Sequence, residues 1–333
     1  MNCDHWLHER VNVKHLHRRL QRQMASLVPL ITLSTFFDDT ARVATAFPTH
    51  SESVAEGYLR DHIGDSSKWI AKFLLACGLL AQVAGTALVL CNIFPERGCD
   101  LLIWWCVLHP VLYSQVSNLE FCSETATLIG GLLILRAHVQ PESRSAMETL
   151  PHVTSVSISG ALACKTPRRS ARQQLLGRAL LPSLYTYHLF RTLVANITSR
   201  EHRQSHSIEM YVVDTLLVVL LALGVAFITV GLRSRACALL LAFLNGMLLL
   251  TQHPFWRFMG AQTLAELPPV PYIESLDLSR VEPRHVVDIH RYLFFQGLST
   301  TGALLLLALY GPGELAVEEH EAILNLPVET RKD

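Results

Sequence analysis

Stretches of about 20 mostly apolar residues, the length an α-helix needs to cross a bilayer, recur eight times along this chain, and no other feature restricts its fold as much. They run over Leu27 to Phe47, Trp69 to Leu90, Leu101 to Ser117, Phe121 to Leu135, Leu175 to Ala195, Val212 to Leu232, Ala236 to Gln252 and Tyr292 to Tyr310. The first carries Asp38, Asp39 and Arg42, and the fourth is short. Only Asn118, Leu119 and Glu120 separate the third from the fourth, which predicts a tight helical hairpin. With 50% hydrophobic and 17% charged residues in 333, burial in lipid explains the chain better than a large soluble core. The expectation is an all-α integral membrane protein with about eight transmembrane helices.

Charge placement orients it. With the N-terminus in the cytosol, 17 of the 28 Lys and Arg fall in inside flanks, so both termini are expected there. Met1 to Gln23 is basic and lacks the apolar core of a signal peptide. A net charge of +0 gives no reason to expect a nucleic-acid partner. The eight cysteines show no metal spacing and read as small buried hydrophobes, so no metal or cofactor is expected. The organisation predicted is a basic cytosolic segment over 1–26, a four-helix membrane unit over 27–138, a cytosolic linker over 139–174, a second four-helix unit over 175–313 and a cytosolic tail over 314–333. Within the second unit a long Pro-containing loop, 253–290, is expected on the side of the membrane opposite the termini.

The two units read as parallel copies. One offset aligns Glu124 with Gln296, Gly130 with Gly302 and Gly131 with Ala303, and each set is followed by an aliphatic run. Pro29 to Phe37 likewise parallels Pro182 to Phe190. Direct repeats of four spans share one orientation and are related by an axis along the membrane normal.

Four collinear stretches carry a family resemblance. They are Leu33-Ser34-Thr35-Phe36-Phe37-Asp38-Asp39 with Arg42; Gly78 to Leu90 with Gln82 and Gly85; Tyr113-Ser114 through Leu119-Glu120-Phe121 to Gly130-Gly131; and Phe294-Phe295-Gln296 through Gly311-Pro312-Gly313. Together they resemble the surfeit locus protein 4 family of endoplasmic reticulum cargo receptors, and more distantly the four-span DoxX-like unit. The resemblance implies a non-enzymatic receptor in the endoplasmic reticulum membrane that binds soluble secretory proteins in the lumen, through a segment near their mature N-terminus. It implies loading of that cargo into COPII vesicles for transport to the early Golgi, with the lipid bilayer and COPII components as partners and room for a homo-oligomer. The family's di-lysine retrieval signal is replaced by Thr330 and Arg331, which leaves Arg331 and Lys332 as a weak substitute.

Charged groups inside a span cost about 2.5–3.5 kcal/mol for Asp at a helix centre, so they face a cavity or a partner. Asp38 and Arg42 lie four apart on one helical face, which predicts an ion pair between them and leaves Asp39 as the acid open to a cavity. The cargo ammonium is expected at Asp38 or Asp39, with cargo side chains against Phe36, Phe37, Tyr113 and Phe295. Glu124 and Gln296 serve either as ligand contacts or as interhelical glue, while Gly130, Gly131 and Gly302 let helices approach closely. Two other classes stay open. A small-solute transporter suits internal repeats and intramembrane acids. A DoxX-like oxidoreductase subunit would need paired cysteines or ligand histidines at working spacing, which the sequence does not show.

Overall fold

The computed structural model describes residues 26–56, 64–139, 168–198, 208–261, 263, 267, 283–313 and 315–317. Within these the chain is helical. A short helical lead-in over 26–32 is followed by α1 (Ser34–Thr45), α2 (Phe47–Glu56), α3 (Ser67–Leu90), α4 (Pro95–Leu112), α5 (Leu119–His138), α6 (Arg168–Leu180), α7 (Ser183–Thr198), α8 (Ile208–Val230), α9 (Ser234–Gln252) and α10 (Pro283–Tyr310).

Local chemistry sets several boundaries. Pro95 opens α4, where the amide hydrogen it lacks has no helical partner. Asn118 caps α5 by accepting from the amides of Glu120 (3.2 Å) and Phe121 (3.3 Å), and this closes the expected hairpin after α4. The fifth apolar stretch is not one helix. Leu181 and Pro182 separate α6 from α7, because proline supplies no amide hydrogen to continue the ladder. The first stretch is likewise interrupted at Leu33 and Ala46.

Among the described residues three helices are long and apolar enough to cross a membrane: Ser67–Leu90, Ser234–Arg257 and Pro283–Tyr310. A shorter apolar helical stretch, Val219–Val230, lies in α8. The distribution of side chains makes the same point. Trp69 (78% exposed), Phe73, Leu80, Trp104 and Phe243 point outward, whereas Asp38, Asp39, Gln82, Glu124 and Gln296 are buried. A soluble protein would not turn large apolar side chains outward on this scale while hiding its acids; a protein whose solvent is lipid does so.

Helices α5 and α10 pack against each other at the centre. Along this contact Glu124 lies beside Gln296, a Cβ on Gly131 would fall 2.7 Å from that of Ala303, and the rings of His138 and Tyr310 stack at 4.1 Å. The partners in each pair are 172 residues apart, and successive pairs are seven residues apart. Around this centre α1 packs on α10 while α6 and α7 pack on α5. Gly302 and Gly130 allow these crossings: a Cβ on Gly302 would meet the Thr32 backbone nitrogen at 2.5 Å, and one on Gly130 the Leu181 nitrogen at 2.5 Å.

One end of the bundle is fixed by Arg136, paired with Asp100 at 2.8 Å, and by Arg178. The latter is fully buried on α6 and donates to the Leu315 carbonyl at 2.9 Å. It lies against Gly231, while Arg235 and Gln174 lie against Gly311 and Gly313. These three glycines have positive φ, which a side chain would strain. The closing Gly311-Pro312-Gly313 turn is thereby held under α6 and α9.

Candidate functional site: a polar seam between the first and last helices

At the opposite end, α1 presents Ser34, Thr35, Asp38, Asp39 and Arg42 to α3, α4 and α10. Ser34 Oγ lies 3.1 Å from Ser299 Oγ and donates to the Phe295 carbonyl at 3.1 Å. The Thr35 amide donates to Ser299 Oγ at 2.9 Å. Side chain and backbone of α1 are thus tied to α10 inside the bundle.

The ion pairs differ from the expected ones. Arg42 binds Asp39 at 2.6 Å, three residues earlier rather than four, and stacks over the Tyr292 ring at 5.3 Å. Asp39 also accepts from Gln82 Nε2 at 3.0 Å. Asp38 instead accepts from Arg291 Nε at 2.5 Å, across 253 residues of sequence. The physical reason is that α10 delivers a second guanidinium to the first helix, which leaves Arg42 free to lean towards Asp39 and the face of Tyr292. Asp39 is therefore not a bare acid, yet it is the one of the two that borders a cavity.

That cavity has a volume of about 40 Å³ and is lined by Asp39, Thr35, Phe36, Trp105, Cys106, His109, Phe121, Thr125, Leu128 and Tyr292. Its walls come from α1, α4, α5 and α10. The His109 ring packs among Trp105 (5.4 Å), Tyr113 (4.6 Å) and Phe121 (5.4 Å), and its Nε2, buried from solvent, makes no hydrogen bond. The volume holds one or two water-sized groups, not a peptide segment.

The expected site residues separate into three places. Phe36 and Asp39 line the cavity. Tyr113 lies above it, its hydroxyl 3.1 Å from His50 Nδ1. Phe37 is 43% exposed on the outer surface, and Phe295 packs with Phe255 and Phe294 in a separate aromatic cluster. Glu124 and Gln296 are buried deeper along the α5–α10 contact. His50 is outside the apolar stretches; burial first, then the nearby Arg42, pushes its imidazole below the ordinary 6.5. His109, Tyr292 and Arg291 escaped the sequence reading, since each acts through a contact with α1 or α5 that no local pattern announces. Arg331 and Lys332 lie outside the described residues. Among the described residues no group of three or more His, Cys, Asp or Glu side chains could hold a metal ion.

The sequence profile of the SURF4 family matches residues 8–165, the stretch that contains Asp38, Asp39, Gln82, His109 and Glu124. Over that stretch the chain is similar to the SURF4 family. The relationship extends well beyond that stretch. A surfeit locus protein 4 homolog of Drosophila melanogaster is 24% identical over 304 residues, covering 91% of this chain and 92% of the relative. A homolog of the same name from Schizosaccharomyces pombe is 24% identical over 303 residues, 90% of this chain and 82% of the relative. No solved structure matches the chain. The SURF4 resemblance read from the sequence therefore holds, including for α10, which supplies half of the polar seam.

Proposed function

We propose that this protein is a cargo receptor of the endoplasmic reticulum membrane, which binds soluble secretory proteins in the lumen near their mature N-terminus and sorts them into COPII vesicles. The observation that carries the reading is the polar seam itself, in a protein whose outer surface is apolar. Buried charge in lipid is costly and persists where it meets a partner or a ligand. With both termini in the cytosol, Arg42, Asp39, His109, Glu120 and Arg291 all fall towards the luminal ends of their helices, where cargo arrives. Arg136, Asp100, Arg178 and the Gly311-Pro312-Gly313 turn fall at the cytosolic ends, where a coat would act.

The architecture that supports this is a pair of four-helix repeats of common orientation. In such an arrangement equivalent residues meet on the symmetry axis, as the two halves of an isologous interface do. Glu124 beside Gln296, Gly131 against Ala303 and His138 on Tyr310 have that relationship. So do α1 on α10 and α6 with α7 on α5. Repeat interfaces are where membrane proteins of this kind hold ligands. Asp39, in the cavity on α1, is the acid to test. In crosslinked microsomes, wild-type protein should co-purify with a defined set of soluble luminal proteins, and Asp39→Asn should lose them. An unchanged set would remove Asp39 from the site, whereas wild-type protein that captures no luminal protein but moves solute into reconstituted liposomes would refute the receptor reading.

A further inference from the structure

The charges in the seam do not balance among themselves. Asp38 is matched by Arg291 and Asp39 by Arg42. Nearer the surface Glu120 faces Arg191 at 3.6 Å and His188 at 3.9 Å from α7. Glu124, one turn deeper on α5 and 6% exposed, has no cation at ion-pair distance among the described residues. Its neighbour across the α5–α10 contact is the neutral amide of Gln296, 3% exposed, whose hydrogen bonding towards Glu124 brings no positive charge to the carboxyl group. A carboxylate so placed needs a positive charge or a proton, because neither water nor an amide replaces its hydration. Tyr292, one turn before Gln296 on α10, stands between this acid and the cavity: it senses the charges of both Glu124 and Asp39 and forms part of the cavity wall.

The cavity supplies the complementary half. Phe36, Trp105, Phe121 and Tyr292 line it, a carboxylate borders it, and so does His109, whose Nε2 makes no hydrogen bond. Aromatic faces with a carboxylate favour a cation, and an unpartnered imidazole nitrogen accepts from a hydrogen donor. At about 40 Å³ the space admits an ammonium group and excludes a quaternary one.

We infer that the seam binds one primary ammonium group in the cavity between Asp39, His109 and Tyr292, and that it does so in exchange for the proton on Glu124. Charge is conserved in the exchange: the ammonium enters, the Glu124 carboxyl releases its proton to water, and the local net charge is unchanged. This rests on the receptor reading only for the source of the ammonium, a peptide N-terminus rather than a free amine or the headgroup of phosphatidylethanolamine. The titratable groups that interact with Glu124 are Glu120 on its own helix, which in turn faces His188 and Arg191 on α7, and Tyr292 on α10.

The test uses full-length protein in phosphatidylcholine nanodiscs at constant ionic strength, read by thermal-unfolding midpoint with methylammonium, tetramethylammonium or sodium chloride. Methylammonium alone should raise the midpoint saturably. On the acid side the concentration needed should rise about tenfold per pH unit, as one exchanged proton requires. Glu124→Gln should abolish the response, Glu124→Asp should keep part of it, and His109→Phe should weaken it. No response in the wild type, an equal response to tetramethylammonium, or a wild-type response in Glu124→Gln would each overturn the inference. The source is then separated by a short peptide with a free or acetylated N-terminus, and by nanodiscs containing phosphatidylethanolamine. Competition by the free peptide alone supports cargo, whereas competition by the lipid overturns a peptide seat. Cargo capture in microsomes is scored independently. Capture retained by Glu124→Gln overturns the exchange and leaves the receptor standing, while a methylammonium response without any captured cargo does the reverse.

Discussion

Replacing Gly302 with alanine probes the crossing that holds the first helix on the last. The added Cβ would lie 2.5 Å from the Thr32 nitrogen and 2.7 Å from Thr32 Oγ1, against an ordinary contact that begins at 3.4 Å. The lead-in to α1 must therefore retreat by about 0.9 Å, and overpacking on this scale costs about 1–3 kcal/mol. The same retreat stretches the bond from the Thr35 amide to Ser299 Oγ, now 2.9 Å, beyond hydrogen-bond reach, which adds about 1 kcal/mol. Alanine also gains about 1 kcal/mol over glycine from helix propensity. Gly246→Ala isolates the clash, because it carries the same gain in α9 with nothing within 4 Å of its Cβ. Unfolding by sodium dodecyl sulfate titration in mixed micelles should place Gly302→Ala below Gly246→Ala by about 2–4 kcal/mol. Equal stability of the two variants would mean that α1 does not lie against α10 as described.

Three further outcomes are expected. A double-mutant cycle on Asp38→Asn and Arg291→Gln should give a coupling of about 0.5–3 kcal/mol in the same titration, whereas additive losses would dissolve the pair. Arg178→Gln should cost about 1.5–3 kcal/mol through the lost bond to the Leu315 carbonyl and should expose the chain after Gly313 to protease; unchanged protection would show that the turn is held by other contacts. His50 prefers its neutral form when folded, so the unfolded chain binds the extra proton. Its contribution is complete above the ordinary 6.5 and is lost as pH falls through the depressed folded value, a decline in thermal midpoint that His50→Gln should remove.

Much of the architecture was legible because lipid leaves so few options: apolar runs near 20 residues had to be helices, and Asn118 with its neighbours had to be a short connection. Breaks inside apolar runs were harder to see. Pro182 divides α6 from α7, yet Pro110 sits within α4 without ending it, and composition alone does not distinguish the two. The candidate site was half legible. Asp38, Asp39, Arg42, Glu124 and Gln296 stand out as polar groups in apolar surroundings, and all five are found at buried helix contacts or in the seam. Their pairing was not readable, because the i to i+4 rule considers one helix at a time and Arg291 reaches Asp38 from the other end of the chain. His109 stands next to Pro110, where nothing in the sequence marks it; its unpartnered Nε2 and its place in a cavity wall set it apart.

The contacts of α1 with α10 also bear on how the protein is made. The first apolar segment leaves the ribosome carrying two acids and one arginine, and the guanidinium that neutralises Asp38 is synthesised some 250 residues later. The hydroxyl of Ser299 and the small surface of Gly302 arrive later still. Until then the opening helix is a poor occupant of lipid. A nascent chain truncated before Pro283 should keep that segment at the insertion machinery or expose it to degradation, so the final helix acts as the release signal for the first.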